Sequence, residues 1–170
     1  MATPETLTQK IAQAVAHAEP LPHVVNIDLK AEGSTDLVLD LCRKADVLVE
    51  NFRPGVMKRF GLDWESVHAV NPKLVMLSIS GFGQTGPESG RAAYAPVVHA
   101  EAGLIARQAE MSEGPAYDLQ YSLADSYSSL HGLVGLLAAL RVAEQTGIGQ
   151  QIDIAMINVL HATDDYAHWA

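Results

Sequence analysis

Residues 47–59, VLVENFRPGVMKR, run from a β-branched apolar stretch into a turn of Asn51, Arg53, Pro54 and Gly55, with Lys58 and Arg59 one helical turn later. Residues 80–87, SGFGQTGP, follow the same plan: an apolar run ends, and Gly81, Gly83 and Gly86 follow in a polar loop. In an open α/β sheet, ligands bind at the loops that leave the carboxyl ends of the strands. Two such loops in tandem predict a parallel sheet with a phosphate- or nucleotide-binding edge.

Outward from these loops, strands and helices alternate. Residues 24–29 read as a strand, and Ser34 or Thr35 then caps a helix with Leu37, Val38 and Leu41 facing inward. Residues 46–50 form a second strand, apolar enough to be buried on both faces. A short helix over 54–59 closes at Gly61; Asp63 caps another over 64–70, which Asn71 and Pro72 end. Residues 74–80 are a third strand. Pro96 suits the first turn of a helix running to about Arg107, and a polar loop spans 110–117. The longest helix extends from about Ser122 to Glu144, stopping at Thr146 and Gly147, and residues 151–155 read as a short strand before a last helical stretch. The first 22 residues stand apart, a short amphipathic helix over 6–18 being stopped by Pro20 and Pro22. The expectation is an α/β fold with a mainly parallel sheet, divided into a divergent segment over 1–22 and a single domain over 23–170.

Bulk composition narrows the function classes. A chain of 170 residues with 48% hydrophobic and 18% charged side chains has the make-up of a globular protein able to bury a core. A net charge of −9 argues against nucleic acid as the main partner, because a phosphate backbone needs a basic surface. A few local cations still suffice for an anionic small molecule. Cys42 is the single cysteine, so no disulfide framework forms, a cytoplasmic location fits, and a buried side chain is its expected role. The sequence contains neither a long apolar run nor a signal-peptide pattern, and no membrane association is expected.

Three constellations are candidates for chemistry. Arg53, Lys58 and Arg59 at a strand end and helix start can hold phosphates together with backbone N–H groups, or can be ordinary solvated charges. Asp125 lies in the first turn of the longest helix, with Ser128, Ser129 and Gly132 expected on its side. A carboxylate there can act as a nucleophile that forms covalent acyl intermediates, or can simply complement the helix dipole. His161, Asp165 and His168 fall on one helix face at metal-ligand spacing, with Asp164 beside them, but no metal is expected from a single helix. His99 and His131, each alone on a helix, read as satisfied structural histidines.

Four segments carry a resemblance to a known family. IDLK at 27–30, ADVLVENFRPG at 45–55, NPKLVMLSISGFGQTGP at 71–87 and LADSYSSLHGLVGLLAALRVAEQTGIGQQIDIAM at 123–156 resemble the class III CoA-transferases, the group of formyl-CoA:oxalate and carnitine CoA-transferases. The resemblance implies a Rossmann-like domain, a mainly parallel sheet flanked by helices, that grips coenzyme A. It implies that Ile27, Asp28, Leu29, Lys30, Asn51, Phe52 and Arg53 line the CoA site and that Arg59 meets its phosphates. The segment with Ala92, Tyr94 and Ala95 is implied to border the cofactor, and the catalytic aspartate falls on Asp125.

The implied reaction moves CoA between an acyl-CoA thioester and a carboxylic acid through an aspartyl anhydride and an aspartyl-CoA thioester. Covalent steps of this kind split a hard exchange and need a water-excluded site. The family also holds acyl-CoA racemases that use a His–Asp pair, but residues 91–95, RAAYA, contain no histidine, which favours the transferase. Many transferases carry an acidic residue where this chain has Ala95. Family members are much longer and form interlocked homodimers, so a truncated or fragmentary member is expected. The alternative is an inactive paralogue that binds CoA or oligomerises through exposed apolar faces.

Overall fold

A computed structural model describes residues 26–118 and 121–163. Its elements are, in order, α1 (Ser34–Cys42), β1 (Val47–Glu50), α2 (Val56–Arg59), α3 (Trp64–Val70), β2 (Val75–Ser80), α4 (Ala95–Glu101), α5 (Leu104–Ser112), α6 (Leu123–Thr146), β3 (Gln151–Ala155) and α7 (Met156–Thr163). The three strands form one parallel sheet in the order β1-β2-β3, with Val47 opposite Val75 and Leu77 opposite Ile152. Helical crossovers join each strand to the next, as parallel pairing demands. The α/β, Rossmann-like expectation is met.

The middle strand β2 organises the core because its alternate side chains feed opposite layers. Met76 packs with Cys42, Val67 and Leu74 against α1 and α3, while Val75 packs with Ala139 and Ala143 of α6. Val75, Met76 and Leu77 are all buried. A third cluster joins Ala95, Val98 and Ala102 to Ala124, Met156 and Leu160, with Ile79 against it. Small residues let α6 lie close on the sheet: a Cβ at Gly132 would stand 3.0 Å from Leu77 Cδ2, and one at Gly135 3.4 Å from Ile152 Cγ2. Dense packing of this kind resists even one added methyl group.

Local signals explain most element ends. Asp63 caps α3, its Oδ1 accepting from the Ser66 N–H at 3.2 Å. The Asn71 Nδ2 group donates to the carbonyls of Cys42 and Ala45, both at 2.9 Å, tying the end of α3 to the end of α1. Gly147, at φ 76°, ends α6 in the left-handed conformation glycine favours.

Five expectations are corrected. The described part of the first expected strand, residues 26–29, has no strand structure: Asp28 Oδ1 accepts from the Lys30 N–H and the Asp28 carbonyl accepts from the Ala31 N–H, so the chain turns there. Leu37 and Leu41 are 49% and 51% exposed, because α1 docks instead through the row that contains Ser34, Val38 and Cys42. Its N-cap is Gly33, and the two hydroxyls expected to cap are donors elsewhere, Ser34 Oγ to the Leu29 carbonyl and Thr35 Oγ1 to the Phe60 carbonyl. Strand β1 is the outer strand of the sheet among the described residues, and Val49 is 56% exposed, so it is not buried on both faces. The helix expected over 96–107 is two, α4 and α5, separated at Gly103 with φ 77°.

Cys42 is buried, as expected, and burial pushes its thiol above the ordinary range. Among the described residues, no helix is long and apolar enough to cross a membrane. His161 stands at the end of α7, whereas Asp164, Asp165 and His168 lie outside the described residues.

Candidate active site

The carboxyl ends of all three strands open on the same side of the sheet, and each supplies one wall of a cleft of about 130 Å³. After β1 come Asn51, Phe52, Arg53 and Pro54; β2 ends in Ile79, Ser80 and Gly81; Met156 follows β3. Asp125, in the first turn of α6, faces the same space, as do Arg91, Ala93 and Tyr94 from the segment before α4. Each of the two loops quoted from the sequence thus contributes a wall.

The β1 loop is shaped by a buried carboxylate. Glu50, 7% exposed, accepts the Phe52 N–H through Oε2 at 2.9 Å, which bends the chain at Asn51. Gly55 then adopts φ 81° and starts α2. Arg53 reaches across to donate from Nη2 to the Gly90 carbonyl at 2.9 Å, fastening this loop to the next.

The β2 loop is pinned from β3 and α7. Asp153 Oδ2 accepts the Gln84 N–H at 2.9 Å, and the Gly81 carbonyl accepts the Ile157 N–H at 3.1 Å. At Gly81 a Cβ would lie 2.2 Å from the Ala93 Cβ, so only glycine lets the 92–94 segment lie against the end of β2. Arg91 binds Glu88 and Glu101 and sits with its guanidinium carbon 4.6 Å from the Phe82 ring centre. Its bonds to Glu101 first and Glu88 second raise its pKa above the ordinary range.

Asp125 is exposed, and among the described residues no ion pair or side-chain hydrogen bond engages its carboxylate. Its backbone carbonyl accepts the Ser129 hydroxyl at 2.8 Å. The dipole of α6 favours negative charge at this end. The arrangement therefore offers an unencumbered nucleophile or base facing a cleft with two guanidinium groups. Of the small residues expected beside Asp125, Ser129 shares its exposed side, whereas Ser128 and Gly132 face the core.

The remaining sequence-derived candidates fall around this centre. Asn51, Phe52, Arg53, Tyr94 and Asp125 meet in the cleft, and Tyr94 is 80% exposed. Ala92 is exposed beside the lining residue Ala93, and the Ala95 side chain packs in the core with Ala124. Ile27, Asp28, Leu29, Lys30 and Arg59 do not line the cleft. Consecutive hydroxyls of α1 nevertheless link the Leu29 turn to Phe60, next to the exposed Arg59. Arg91 and Met156 are cleft residues that sequence reasoning did not assign, whereas Gly81 lies in the glycine-rich loop and Ala93 in the segment around Tyr94 that it did. A larger groove of about 360 Å³ along α5, lined by Leu104, Arg107, Gln108, Met111 and Ser112, holds no carboxylate, thiol or imidazole.

Comparison with known proteins agrees with this geometry. A family model described as CoA-transferase family III matches residues 23–169. The succinyl-CoA–L-malate CoA-transferase alpha subunit of Chloroflexus aurantiacus is 45% identical over 132 residues, covering 78% of this chain and 31% of that protein. The acetyl-CoA:oxalate CoA-transferase of Acetobacter aceti is 40% identical over 132 residues, covering 78% of this chain and 34% of that protein. Among solved structures, a CAIB/BAIF family protein from Brucella suis superposes with a TM-score of 0.74 at 31% identity, over 82% of this chain and 36% of that one. A hypothetical protein from Mycobacterium tuberculosis superposes with a TM-score of 0.76 at 31% identity, over 85% of this chain and 40% of that one. The chain spans about a third of the length of the curated relatives it matches. From the strand-end loops, the sheet order and a family model that covers most of its length, the chain belongs to CoA-transferase family III.

Proposed function

We propose that this chain supplies the CoA-binding core and the nucleophile of an enzyme that transfers CoA between an acyl-CoA thioester and a carboxylic acid. The observation that carries the reading is the unpaired Asp125 carboxylate at a helix N-terminus, facing a cleft formed by the carboxyl ends of three parallel strands. The names of the relatives, all CoA-transferases with acid acceptors, support the class of substrate.

The reaction begins when an Asp125 oxygen attacks the thioester carbonyl. The carbon–sulfur bond breaks, CoA leaves as thiolate, and a mixed anhydride joins Asp125 to the acyl group. The thiolate then attacks the Asp125 acyl carbon, releasing the donor acid and leaving an aspartyl-CoA thioester. The acceptor carboxylate displaces CoA to form a second anhydride, and the returning thiolate takes the acceptor acyl group and restores Asp125. Arg53 stands where it can pair with an anionic substrate group, and Phe52 and Tyr94 offer apolar surface. Ile27, Asp28, Leu29, Lys30, Asn51 and Arg59, with the backbone of Ala92 and Ala95, are proposed to complete the CoA site.

The enzyme is further proposed to work in a reducing cytoplasm and as a homodimer; that two relatives are named as alpha and beta subunits supports assembly with a second chain, not its identity. The second reading, an inactive module that binds CoA or oligomerises, is favoured by the exposed apolar side chains of α6, among them Leu130, Leu133 and Val134. Intact-mass measurement after mixing with a panel of acyl-CoAs, with hydroxylamine or borohydride trapping, separates the two. A modification on the native chain that is lost in Asp125→Ala supports the transferase. CoA binding with no adduct supports the module.

A further inference from the structure

The N-terminus of α6 lacks a side-chain cap of its own. Ser122, at the N-cap position, makes no side-chain bond to the helix, although the first N–H groups of any helix need acceptors. One of those donors, the N–H of Ala124, is instead accepted by the imidazole of His99 through Nε2, at 3.1 Å. An accepting Nε2 leaves the ring proton on Nδ1, which faces Asp118 Oδ1 at 2.8 Å. His99 is fully buried in α4, and Ala124, equally buried, immediately precedes Asp125.

We propose that His99 is a positioning residue: oriented by Asp118, it holds the first turn of α6 from another element and thereby sets where the Asp125 carboxylate sits in the cleft. This rests on the reading of Asp125 as nucleophile for its catalytic consequence, while the holding itself is independent of that reading. The logic is that of a capping side chain borrowed from 25 residues upstream. A histidine oriented by a carboxylate has a fixed tautomer and a fixed ring plane, so it presents its lone pair in one direction only.

Two readouts on the same variants test the proposal. The first is amide hydrogen exchange at Ala124, compared with exchange in β2. In His99→Leu, protection at this amide is expected to fall roughly tenfold relative to β2, the scale of a lost helix cap. In His99→Gln, whose side-chain oxygen can accept the same N–H, most of the protection returns. The second readout is the rate of adduct formation at Asp125 with an acyl-CoA, expected to fall roughly 10- to 100-fold in His99→Leu, with CoA affinity unchanged. Asp118→Asn should show the same direction to a smaller extent. Unchanged exchange at Ala124 in His99→Leu overturns the proposal, as does an equal fall in protection throughout β2. If the native chain forms no adduct, the reading of Asp125 fails, and the exchange data alone still decide whether His99 holds the helix.

Discussion

Gly81→Ala should damage this protein out of proportion to one methyl group, and Ala93→Gly should repair it. The new Cβ would stand 2.2 Å from the Ala93 Cβ, whereas the next atom of that residue, its Cα, is 3.6 Å away. Carbon atoms pack at about 3.5–4.0 Å, so the single variant must open the contact by more than about 1 Å. Neither side has a flexible end that can swing aside, and the strain passes into the backbone of 92–94. Overpacking of this kind costs typically about 1–3 kcal/mol, and the absence of any rotamer escape places it at the upper end. Ala93→Gly alone should cost about 0.4–1 kcal/mol, through the extra freedom of the unfolded chain. In the double variant the clash is gone and an ordinary van der Waals contact replaces it. Gly81 has no positive φ, so alanine is tolerated there and itself recovers a few tenths of a kcal/mol by the same unfolded-state argument. The double variant should therefore lie within about 1 kcal/mol of the native protein, giving a coupling of about 2–3 kcal/mol in a double-mutant cycle. Urea unfolding of the four proteins measures this directly. The reasoning is refuted if Gly81→Ala costs less than about 0.5 kcal/mol, or if the two losses simply add.

Further outcomes follow from other parts of the fold. Leu77→Ala removes a buried side chain between β2 and α6 and should cost about 2–5 kcal/mol in chemical unfolding, since Gly132 cannot fill the gap. Asp63→Ala, which removes the cap on α3, should cost about 1 kcal/mol, with Asp63→Ser recovering most of it in the same assay. Arg53→Ala should weaken CoA binding measured by calorimetry while Asp125→Ala leaves it nearly intact, because the Arg53 guanidinium can pair with an anionic group and the Asp125 carboxylate cannot. Cys42 should resist alkylation at neutral pH until the protein unfolds, as followed by mass spectrometry. Its folded pKa is raised by burial, so its contribution to stability is constant below the ordinary thiol range and is lost as pH rises above it.

How far these features were legible depends on the range of the forces that fix them. Strand β2 and the ends of α3 and α6 were readable because their causes are local: an unbroken apolar run, the Asp63 cap and the Gly147 stop. The exposure of Leu37 and Leu41 was not, since the face a short helix buries is chosen by its neighbours; α1 meets α3 along Ser34, Val38 and Cys42. The break at Gly103 was written in the sequence but outweighed by the apolar pattern on either side of it. Both loops that wall the cleft were legible from their Gly, Pro and Asn residues, whereas the choice of Asp125 as nucleophile came only with the family resemblance. The ties of Arg91 to Glu101 and of His99 to Asp118 and Ala124 were not legible: the first depends on how the loop before α4 folds back along that helix, and the others on how α4 packs beside the start of α6.

The buried face of α6 is built from Ala124, Ser128, Gly132, Ala139 and Ala143, and this has a mechanical consequence. Docking this row freezes few side-chain rotors, so along it the helix seats on the sheet through its backbone, with Leu136 and Leu140 packing beside it. A surface of that kind has little give: rolling the helix drives Gly132 into Leu77, and sliding it meets Ile152 at Gly135. The 24-residue helix, roughly 36 Å long, then behaves as a stiff rail with Asp125 fixed at its tip. Its outward side chains can change in size or polarity without transmitting that change to the carboxylate in the cleft.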